Sequence, residues 1–321
     1  MISKPIIIVS GEPYSVFLEI FFKSLKVKKY KRPIVLIVSK KLFFLQMKKL
    51  GFNFKINILR KKSIDFKNLN NKKINIIDIN FNFKKTFANI TDKSNKYINN
   101  CFDVGLEIIK SYPGSSLING PISKKNFLKK KYLGITEFLT KKTNKNHSVM
   151  LIYNKKLSVS PITTHLPLKL VTKSLSKNKI IMHVKIIKDF YVKQFNKNPK
   201  IAITGLNPHC ESNYSSSEEN NIIIPAIRYF SKKINFNVEG PFSADTVFMK
   251  DVSKDFDVII GMYHDQVLAP LKAIHGFNAI NITLGLPFIR ISPDHGPNTS
   301  MLGKNLSNPK SLIEALKFLD K

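Results

Sequence analysis

Three short segments of this sequence place a histidine beside residues that form tight turns, and each segment follows a predicted strand. They are TTHLP (163–167), GLNPH (205–209) and MYHDQ (262–266), which carry His165, His209 and His264. Open α/β sheets bind ligands just beyond strand ends, and neutral imidazoles that leave a coordination position open are typical of catalytic divalent metal sites. For any one histidine alone, a helix cap or a loop hydrogen bond is the favoured interpretation. For the three together, that interpretation and a metal site both stay open at this point.

The stretch 257–297 adds charged and polar side chains of useful types to a largely apolar background. Besides His264 they are Asp265, Lys272, Asn281, Arg290, Asp294 and His295. Arg290 is one of four arginines in a chain with 53 basic residues. A planar guanidinium binds phosphate or carboxylate through two parallel hydrogen bonds, so Arg290 predicts an anion-binding position. A structural ion pair is the alternative.

Strands and helices must bring these residues together. Apolar runs predict strands at 5–10, 33–39, 54–58, 74–79, 115–120, 200–206 and 257–263. Helical spacing predicts helices at 14–25, 40–50, 95–112, 175–195, 218–233 and 311–319. Their alternation is typical of α/β proteins with a largely parallel sheet. Residues 148–153 and 157–163 predict a hairpin, and 279–292 a strand pair around a glycine turn.

Composition excludes some function classes. The net charge of +32 belongs to residues 1–200, which carry +33, whereas residues 201–321 carry −1 because they hold 11 basic and 12 acidic residues. Lysine supplies 49 of the 53 basic residues, although nucleic-acid readers favour arginine. We therefore interpret the excess as a surface bias and expect no nucleic-acid partner, with a basic nucleic-acid or anionic-surface binding protein as the alternative. The change in charge suggests a fold boundary near residue 200.

Location follows from cysteine content and hydropathy. The chain has two cysteines, too few for a disulfide framework, and no apolar run approaching the roughly 18 residues of a membrane span. The first ten residues also lack a signal-peptide core. We expect a cytoplasmic protein that does not interact with membranes.

Seven motifs in order resemble one family. They are NGPISK (119–124), GITEFL (134–139), TTHLPL (163–168), GLNPH (205–209), GPFSADTVF (240–248), MYHDQ (262–266) and NITLGLPFIRISPDHG (281–296). Together they resemble the 4-hydroxythreonine-4-phosphate dehydrogenase family, oxidoreductases of pyridoxal 5′-phosphate biosynthesis. The resemblance implies an α/β, two-lobed fold like that of isocitrate and isopropylmalate dehydrogenases, with a central cleft. Residues 1–321 would form a single enzyme unit of two interleaved α/β lobes, working as a homodimer whose active site is completed across the interface.

The resemblance also implies roles for individual residues. His165, His209 and His264 would be the ligands of one divalent metal ion, which could be Zn²⁺, Mg²⁺, Mn²⁺ or Co²⁺. Thr136, Lys272, Asn281 and Arg290 would contact a small phosphorylated substrate. Lys272 could also relay a proton, and Asp245 would be an acidic catalytic residue near the metal. The cofactor would be NAD or NADP, bound without a Gly-x-Gly-x-x-Gly fingerprint, which this sequence lacks.

The implied reaction oxidises 4-phosphooxy-L-threonine to 2-amino-3-oxo-4-phosphooxybutanoate, which decarboxylates to 3-amino-2-oxopropyl phosphate. One departure from the family pattern bears on the substrate. Ile135 stands where the family commonly has a histidine before Thr136, and an isoleucine can neither bind phosphate nor donate a proton. A related phosphorylated hydroxy acid, such as a four-carbon sugar-acid phosphate, is therefore the alternative substrate.

Overall fold

Strands form where apolar residues run without interruption, and helices where they recur at helical spacing. The computed structural model describes residues 4–61, 64–66, 68–129, 131–210, 216–276, 279–293 and 295–320. The strands are β1 (Ile6–Val9), β2 (Ile34–Val38), β3 (Ile56–Ile58), β4 (Ile74–Asp78), β5 (Ser116–Asn119), β6 (Val149–Tyr153), β7 (Ser158–Thr163), β8 (Lys200–Thr204), β9 (Asn237–Phe242), β10 (Val258–Tyr263), β11 (Ile280–Leu284) and β12 (Arg290–Ser292).

The helices follow the same chain order. They are α1 (Phe17–Val27), α2 (Lys40–Lys49), α3 (Asn95–Ser111), α4 (Ile135–Lys142), α5 (Val171–Ser174), α6 (Lys177–Phe195), α7 (Ile224–Ser231), α8 (Lys250–Ser253), α9 (His264–His275) and α10 (Lys310–Leu319). Among the helices that the structure describes, none is long and apolar enough to span a bilayer.

The chain divides into two compact units. The first comprises Met1–Phe138 and Pro287–Lys321, and the second Leu139–Leu286. The second unit is thus inserted into the first. Residue 200 begins a strand inside the second unit, so the boundary suggested there by charge was wrong. Lysine content reports on surface composition, whereas a unit boundary depends on which strands pair.

The sheet strands of the first unit run in the order β3-β4-β2-β1-β5-β12. All five pairings are parallel. β1, β2 and β5 are buried along their whole length, which explains why their sequences are apolar on both faces rather than alternating. In α3, a Cβ on Gly105 would lie 3.0 Å from a methyl group of Val9, so this glycine lets the helix pack closely on the sheet.

Two glycines allow the loops after β1 and β5 to touch. Gly11 has φ +73°, and a Cβ there would lie 2.4 Å from the carbonyl oxygen of Pro121. A Cβ on Gly120 would lie 2.2 Å from the carbonyl oxygen of Ser10 and 2.8 Å from the ring of Phe17. Contacts this short leave no room for a side chain at either position, so the carboxyl edge of these strands depends on both glycines.

In the second unit the strand order is β11-β6-β7-β10-β8-β9. The β11–β6 and β6–β7 pairings are antiparallel, which confirms the predicted hairpin. The β7–β10, β10–β8 and β8–β9 pairings are parallel. A buried cluster that includes Val159, Ala202, Ile259 and Leu271 packs β7, β8, β10 and α9 into one core.

Five of these elements were absent from the sequence predictions, and three of them, α9, β9 and α4, are longer than four residues. α9 contains Pro270, and an interior proline argues against a helix. β9 contains Gly240 and Pro241 and is only partly buried, as expected for a strand at the end of a strand order. α4 is short and carries polar residues over much of its length. In each case tertiary packing outweighs a weak local signal.

The glycine contact at the β1–β5 edge predicts a stability loss. Replacing Gly120 by alanine forces the added methyl group into the Ser10 carbonyl, and we expect the free energy of unfolding to fall by about 1–3 kcal/mol. Gly296→Ala is the matched control, because a Cβ there has no neighbour closer than 3.9 Å. Urea unfolding followed by circular dichroism measures both variants, and equal stability of the two would contradict the assigned contact.

Candidate active site

The three predicted histidines lie at one edge of the second unit's sheet. β10 pairs in parallel with β7 on one side and β8 on the other, so the carboxyl ends of the three strands point the same way. His165 follows β7, His209 follows β8, and His264 begins α9 directly after β10. The strand order, and not the spacing along the chain, therefore brings the three histidine-bearing loops to one edge.

Strand register places His165 beside His264. Thr163 and Tyr263 are direct partners in the β7–β10 ladder, and the Thr163 hydroxyl donates a hydrogen bond to the carbonyl of Met262 at 2.7 Å. The next residues along both strands leave the sheet together. As a result the two imidazole rings have centroids 5.9 Å apart.

A cavity of about 400 Å³ opens beside this histidine pair. Its lining includes both imidazoles with Thr164, Leu166, Leu168, Val171, Tyr263 and Asp265. The lining therefore combines apolar side chains with a few polar ones, which is the usual composition of a small-molecule site.

Asp265 orients the ring of His264. Its carboxylate lies 2.6 Å from Nδ1 of His264, so this nitrogen carries the proton and donates the hydrogen bond. Nε2 is then the nitrogen left with a lone pair. Carboxylate–histidine pairs of this kind fix the tautomer of metal-binding histidines. Asp265 has no role in the sequence-based predictions, because a side chain next to a histidine in the chain need not reach its ring.

His209 occupies a different environment. It has φ +56° and ψ +11°, and Cys210 after it has φ +58°, so two successive non-glycine residues adopt the left-handed conformation. This costs on the order of 1–2 kcal/mol per residue and persists only where surrounding contacts impose it. The His209 ring is exposed, and its Nδ1 lies 4.0 Å from the carboxylate of Asp245.

The Asp245 carboxyl is held in its charged form. A hydrogen bond from the Ser243 hydroxyl at 2.6 Å is the main cause that lowers the pKa of Asp245, and the nearby His209 contributes. Asp245 is thus a charged carboxylate beside His209, and its predicted role near a metal ion stays a prediction.

The imidazole and carboxylate groups of this edge suit a divalent cation, although in the described residues they do not all converge on one point. Imidazole and carboxylate are ligands that Zn²⁺, Mn²⁺ and Co²⁺ accept. Among the residues in the described ranges, no three His, Cys, Asp or Glu side chains converge closely enough to hold an ion. The donors instead form two pairs, His165 with His264 and His209 with Asp245. The three-histidine ligand set therefore stays a prediction.

A buried cation lies in the first unit. Arg290, on β12, is fully buried. Its Nε donates to Oδ1 of Asn119 at 2.7 Å, and Nη1 donates to the Thr136 hydroxyl at 3.4 Å. Burial lowers the pKa of Arg290, while the Glu137 carboxylate acts to raise it. A guanidinium remains protonated at neutral pH even so, and the structure thus joins two of the predicted substrate residues, Arg290 and Thr136.

Asn119 was missed as a site residue. It lies at the end of β5 within the NGPISK motif and is 1% exposed. Its amide nitrogen donates to the carbonyl of Gly120 at 2.8 Å, which turns its oxygen towards the guanidinium. The buried asparagine in a motif was the available signal, but its partner lies 171 residues away.

Lys272 and Asn281 belong to the second unit. Lys272 is an exposed residue in the last turn of α9. Asn281 lies on β11, and within the described ranges its shielded Oδ1 accepts no hydrogen bond. An unsatisfied buried acceptor needs an explanation, and a ligand with a donor group is one. His295, in the first unit, stacks on Phe17 with centroids 6.2 Å apart. Asp294 lies outside the described residues.

Comparison with known proteins identifies the family. A family model described as pyridoxal phosphate biosynthetic protein PdxA matches residues 29–319. A 4-hydroxythreonine-4-phosphate dehydrogenase from Sulfurihydrogenibium sp. (strain YO3AOP1) is 38% identical over 314 residues, covering 96% of this chain and 95% of that protein. A protein from Oceanobacillus iheyensis, named as a candidate D-threonate 4-phosphate dehydrogenase, is 34% identical over 66% of this chain and 65% of its own length.

A solved structure agrees with these sequence matches. The crystal structure of 4-hydroxythreonine-4-phosphate dehydrogenase from Klebsiella pneumoniae superposes with a TM-score of 0.85 at 26% identity, covering 99% of this chain and 97% of that one. The predicted fold class is confirmed, and so is the prediction of an oxidoreductase at the level of the family. The chain belongs to the PdxA family of pyridoxal phosphate biosynthetic proteins.

Proposed function

We propose that this protein oxidises 4-phosphooxy-L-threonine to 2-amino-3-oxo-4-phosphooxybutanoate, with NAD or NADP as the oxidant and one divalent metal ion. The product then decarboxylates to 3-amino-2-oxopropyl phosphate. The observation that carries the proposal is the gathering of three histidine-bearing loops at one sheet edge, with His165 and His264 lining a cavity. Membership of the PdxA family supports the substrate.

The histidines would hold the metal ion. His165, His209 and His264 are the ligands in the proposal, and the Asp265 carboxylate keeps His264 in the tautomer that presents Nε2. A bound divalent ion would lower the pKa of a substrate hydroxyl and stabilise the negative charge that develops on its oxygen. Asp245, charged and 4.0 Å from His209, adds a carboxylate that could accept the hydroxyl proton.

The remaining residues bind the anionic parts of the substrate. Arg290 and Thr136 offer a guanidinium and a hydroxyl in contact with each other, which suits a phosphate or carboxylate group. Lys272 supplies an ammonium group that can bind an anion or relay a proton, and Asn281 supplies an amide. These assignments rest on residue chemistry and on the family motifs.

The reaction balances without a further reactant. The substrate loses a hydride from its secondary carbon to NAD⁺ and a proton from its hydroxyl group, which leaves a ketone and NADH. The ketone lies β to the carboxylate, so its carbonyl can accept the electron pair released when CO₂ departs. A proton then replaces the carboxylate. The chain's own task is to orient the hydroxyl and hold both anionic ends.

The proposal includes a homodimer in the cytoplasm, with the active site completed across the dimer interface. The two donor pairs are consistent with this. His209 and Asp245 stand apart from His165 and His264 within one chain, and a second copy would offer the same donors again. Nucleic acid and membranes are not partners in this proposal.

A second substrate is favoured by one residue. Ile135 begins α4 immediately before Thr136, at the position where the family motif commonly has histidine. An aliphatic side chain there removes one polar contact from the phosphate-binding end of the site. A four-carbon sugar-acid phosphate such as D-threonate 4-phosphate, the substrate named for the Oceanobacillus relative, is therefore the second candidate.

Metal removal tests the proposed ligand set. We expect NADH formation, followed at 340 nm, to stop with a chelator and to return with Zn²⁺, Mn²⁺ or Co²⁺. His209→Ala should lower kcat at least 100-fold, because one of three ligands is lost. His147→Ala is the matched control, since His147 is exposed and lies outside the histidine loops. Full turnover by the metal-free enzyme would rule out this ligand set.

Replacing Arg290 by lysine tests anion binding. A lysine ammonium cannot donate to Asn119, Thr136 and a substrate anion in one plane, so we expect kcat/KM to fall about 100-fold, equivalent to about 2.7 kcal/mol. The same change at exposed Arg228 is the control and should leave kcat/KM within twofold. Steady-state kinetics distinguish the two, and an R290K enzyme with wild-type kcat/KM would exclude Arg290 from substrate binding.

Substrate choice is tested at Ile135. Ile135→His restores a polar side chain, and we expect the ratio of kcat/KM for 4-phosphooxy-L-threonine over that for D-threonate 4-phosphate to rise about tenfold. Ile135→Val, which stays aliphatic, should leave the ratio unchanged. If the wild-type enzyme already has the higher kcat/KM for D-threonate 4-phosphate, then this second candidate is the substrate.

A further inference from the structure

The backbone segment 205–209, here called the His209 loop, is held by two buried side chains that come from different elements. One is Glu219, in the turn of helix before α7, and the other is Gln266, in the first turn of α9. Neither residue has a role in the function proposed above. Both are polar and buried, and each makes at least one hydrogen bond to the backbone of this loop.

Glu219 holds the middle of the His209 loop. One carboxylate oxygen accepts the backbone N–H of Leu206 at 2.7 Å and that of Asn207 at 2.9 Å, and the other accepts the Asn207 side-chain amide at 2.8 Å. Glu219 is only 1% exposed. Burial acts to raise the pKa of Glu219, but these hydrogen bonds outweigh it and lower the pKa below its usual value. The charged carboxylate thus accepts the hydrogen bonds of two backbone N–H groups that a helix or a strand would otherwise pair with a carbonyl.

Gln266 joins the start of the same loop to the strand that leads into His264. Its Nε2 donates to the carbonyl of Gly205 at 2.8 Å. Its Oε1 accepts the backbone N–H of Met262 at 2.6 Å and the Thr204 hydroxyl at 3.0 Å. These three hydrogen bonds join the carboxyl ends of β8 and β10. Because Gln266 lies two residues after His264, it fixes the distance between the His209 loop and the start of α9.

The His209 loop needs such support, because its conformation is not locally favoured. His209 and Cys210 both adopt positive φ angles, and Gly205 leaves space for the Cys210 sulfur, which would lie 2.7 Å from a Cβ at that position. Without bonds to residues 205–207, the backbone that leads into His209 would be free to relax towards ordinary φ angles.

We propose that Glu219 and Gln266 are positioning residues that determine where the His209 imidazole is presented at the edge that carries His264, and thereby set the affinity for the divalent cation. The inference rests on the metal site of the proposed function. The affinity for the cation then depends partly on two side chains that do not contact the cation. Substitution of residues that orient metal ligands typically weakens metal binding 10–100-fold.

Co²⁺ titration of the full-length protein, with d–d absorption and calorimetry, tests this inference. Glu219→Met keeps the volume and removes every acceptor, and we expect Co²⁺ affinity to fall at least 10-fold with an altered absorption band. Glu219→Gln keeps one oxygen for the two backbone amides and should bind within threefold of wild type. Glu218→Met is the matched control, because within the described ranges Glu218 accepts the Asn207 side-chain amide, at 3.0 Å, and no backbone N–H of the loop.

Circular dichroism and thermal melting establish that each variant is folded. If Glu219→Met does not fold, Gln266→Met takes its place, with the same 10-fold loss expected. Wild-type affinity and an unchanged absorption band in the folded variant would overturn the positioning role while leaving the metal site intact. A wild-type protein that binds no Co²⁺ through its histidines would overturn the proposed metal site, and the positioning role with it.

Discussion

The candidate site depends on the parallel pairing of β10 between β7 and β8. This arrangement brings three loops that are separated by about 40 to 100 residues to one sheet edge, and its register sets Thr163 opposite Tyr263. His165 and His264 then leave the sheet side by side, which accounts for the 5.9 Å between their rings. A slip of one residue in this register would turn one of the two histidines to the other face.

Buried polar side chains hold these strand ends in place through hydrogen bonds. Thr163, Gln266 and Glu219 are each less than 10% exposed, and each bonds to backbone atoms of a neighbouring strand or loop. Burying a polar group without a partner costs free energy, so such residues are tolerated when their bonds are complete. Here the completed bonds also specify geometry, because an apolar side chain of the same size would fill the space without fixing the loops.

In the first unit, the buried polar side chain held by its neighbours is a charged one. Arg290 is fully buried, and Asn119 and Thr136 contact it through neutral oxygens. The Glu137 carboxylate also acts on this guanidinium, so the buried charge has an anionic neighbour as well as neutral ones. The surface lysines behave differently. Some lysines of α1 and α2 lie over aromatic rings, as Lys26 does over Phe52 at 4.8 Å and Lys41 over Phe83 at 5.7 Å, so their stems cover apolar surface.

The sequence by itself determined the α/β class, the positions of most strands and helices, and the family, because these follow from local periodicity and from motifs in order. It also picked out Arg290 and the three histidines as residues of unusual type for their surroundings. It could not find α9, β9 or α4, whose local signals are weak.

Only the tertiary structure decided which side chains meet. It paired His165 with His264 and His209 with Asp245, bound Arg290 to Asn119 across 171 positions, and gave Gln266 and Glu219 their partners in the His209 loop. The physical reason is that such contacts depend on strand order and register, which are set by the packing of the whole core. Local spacing determines the face on which a residue lies, whereas its neighbour on that face comes from a distant part of the chain.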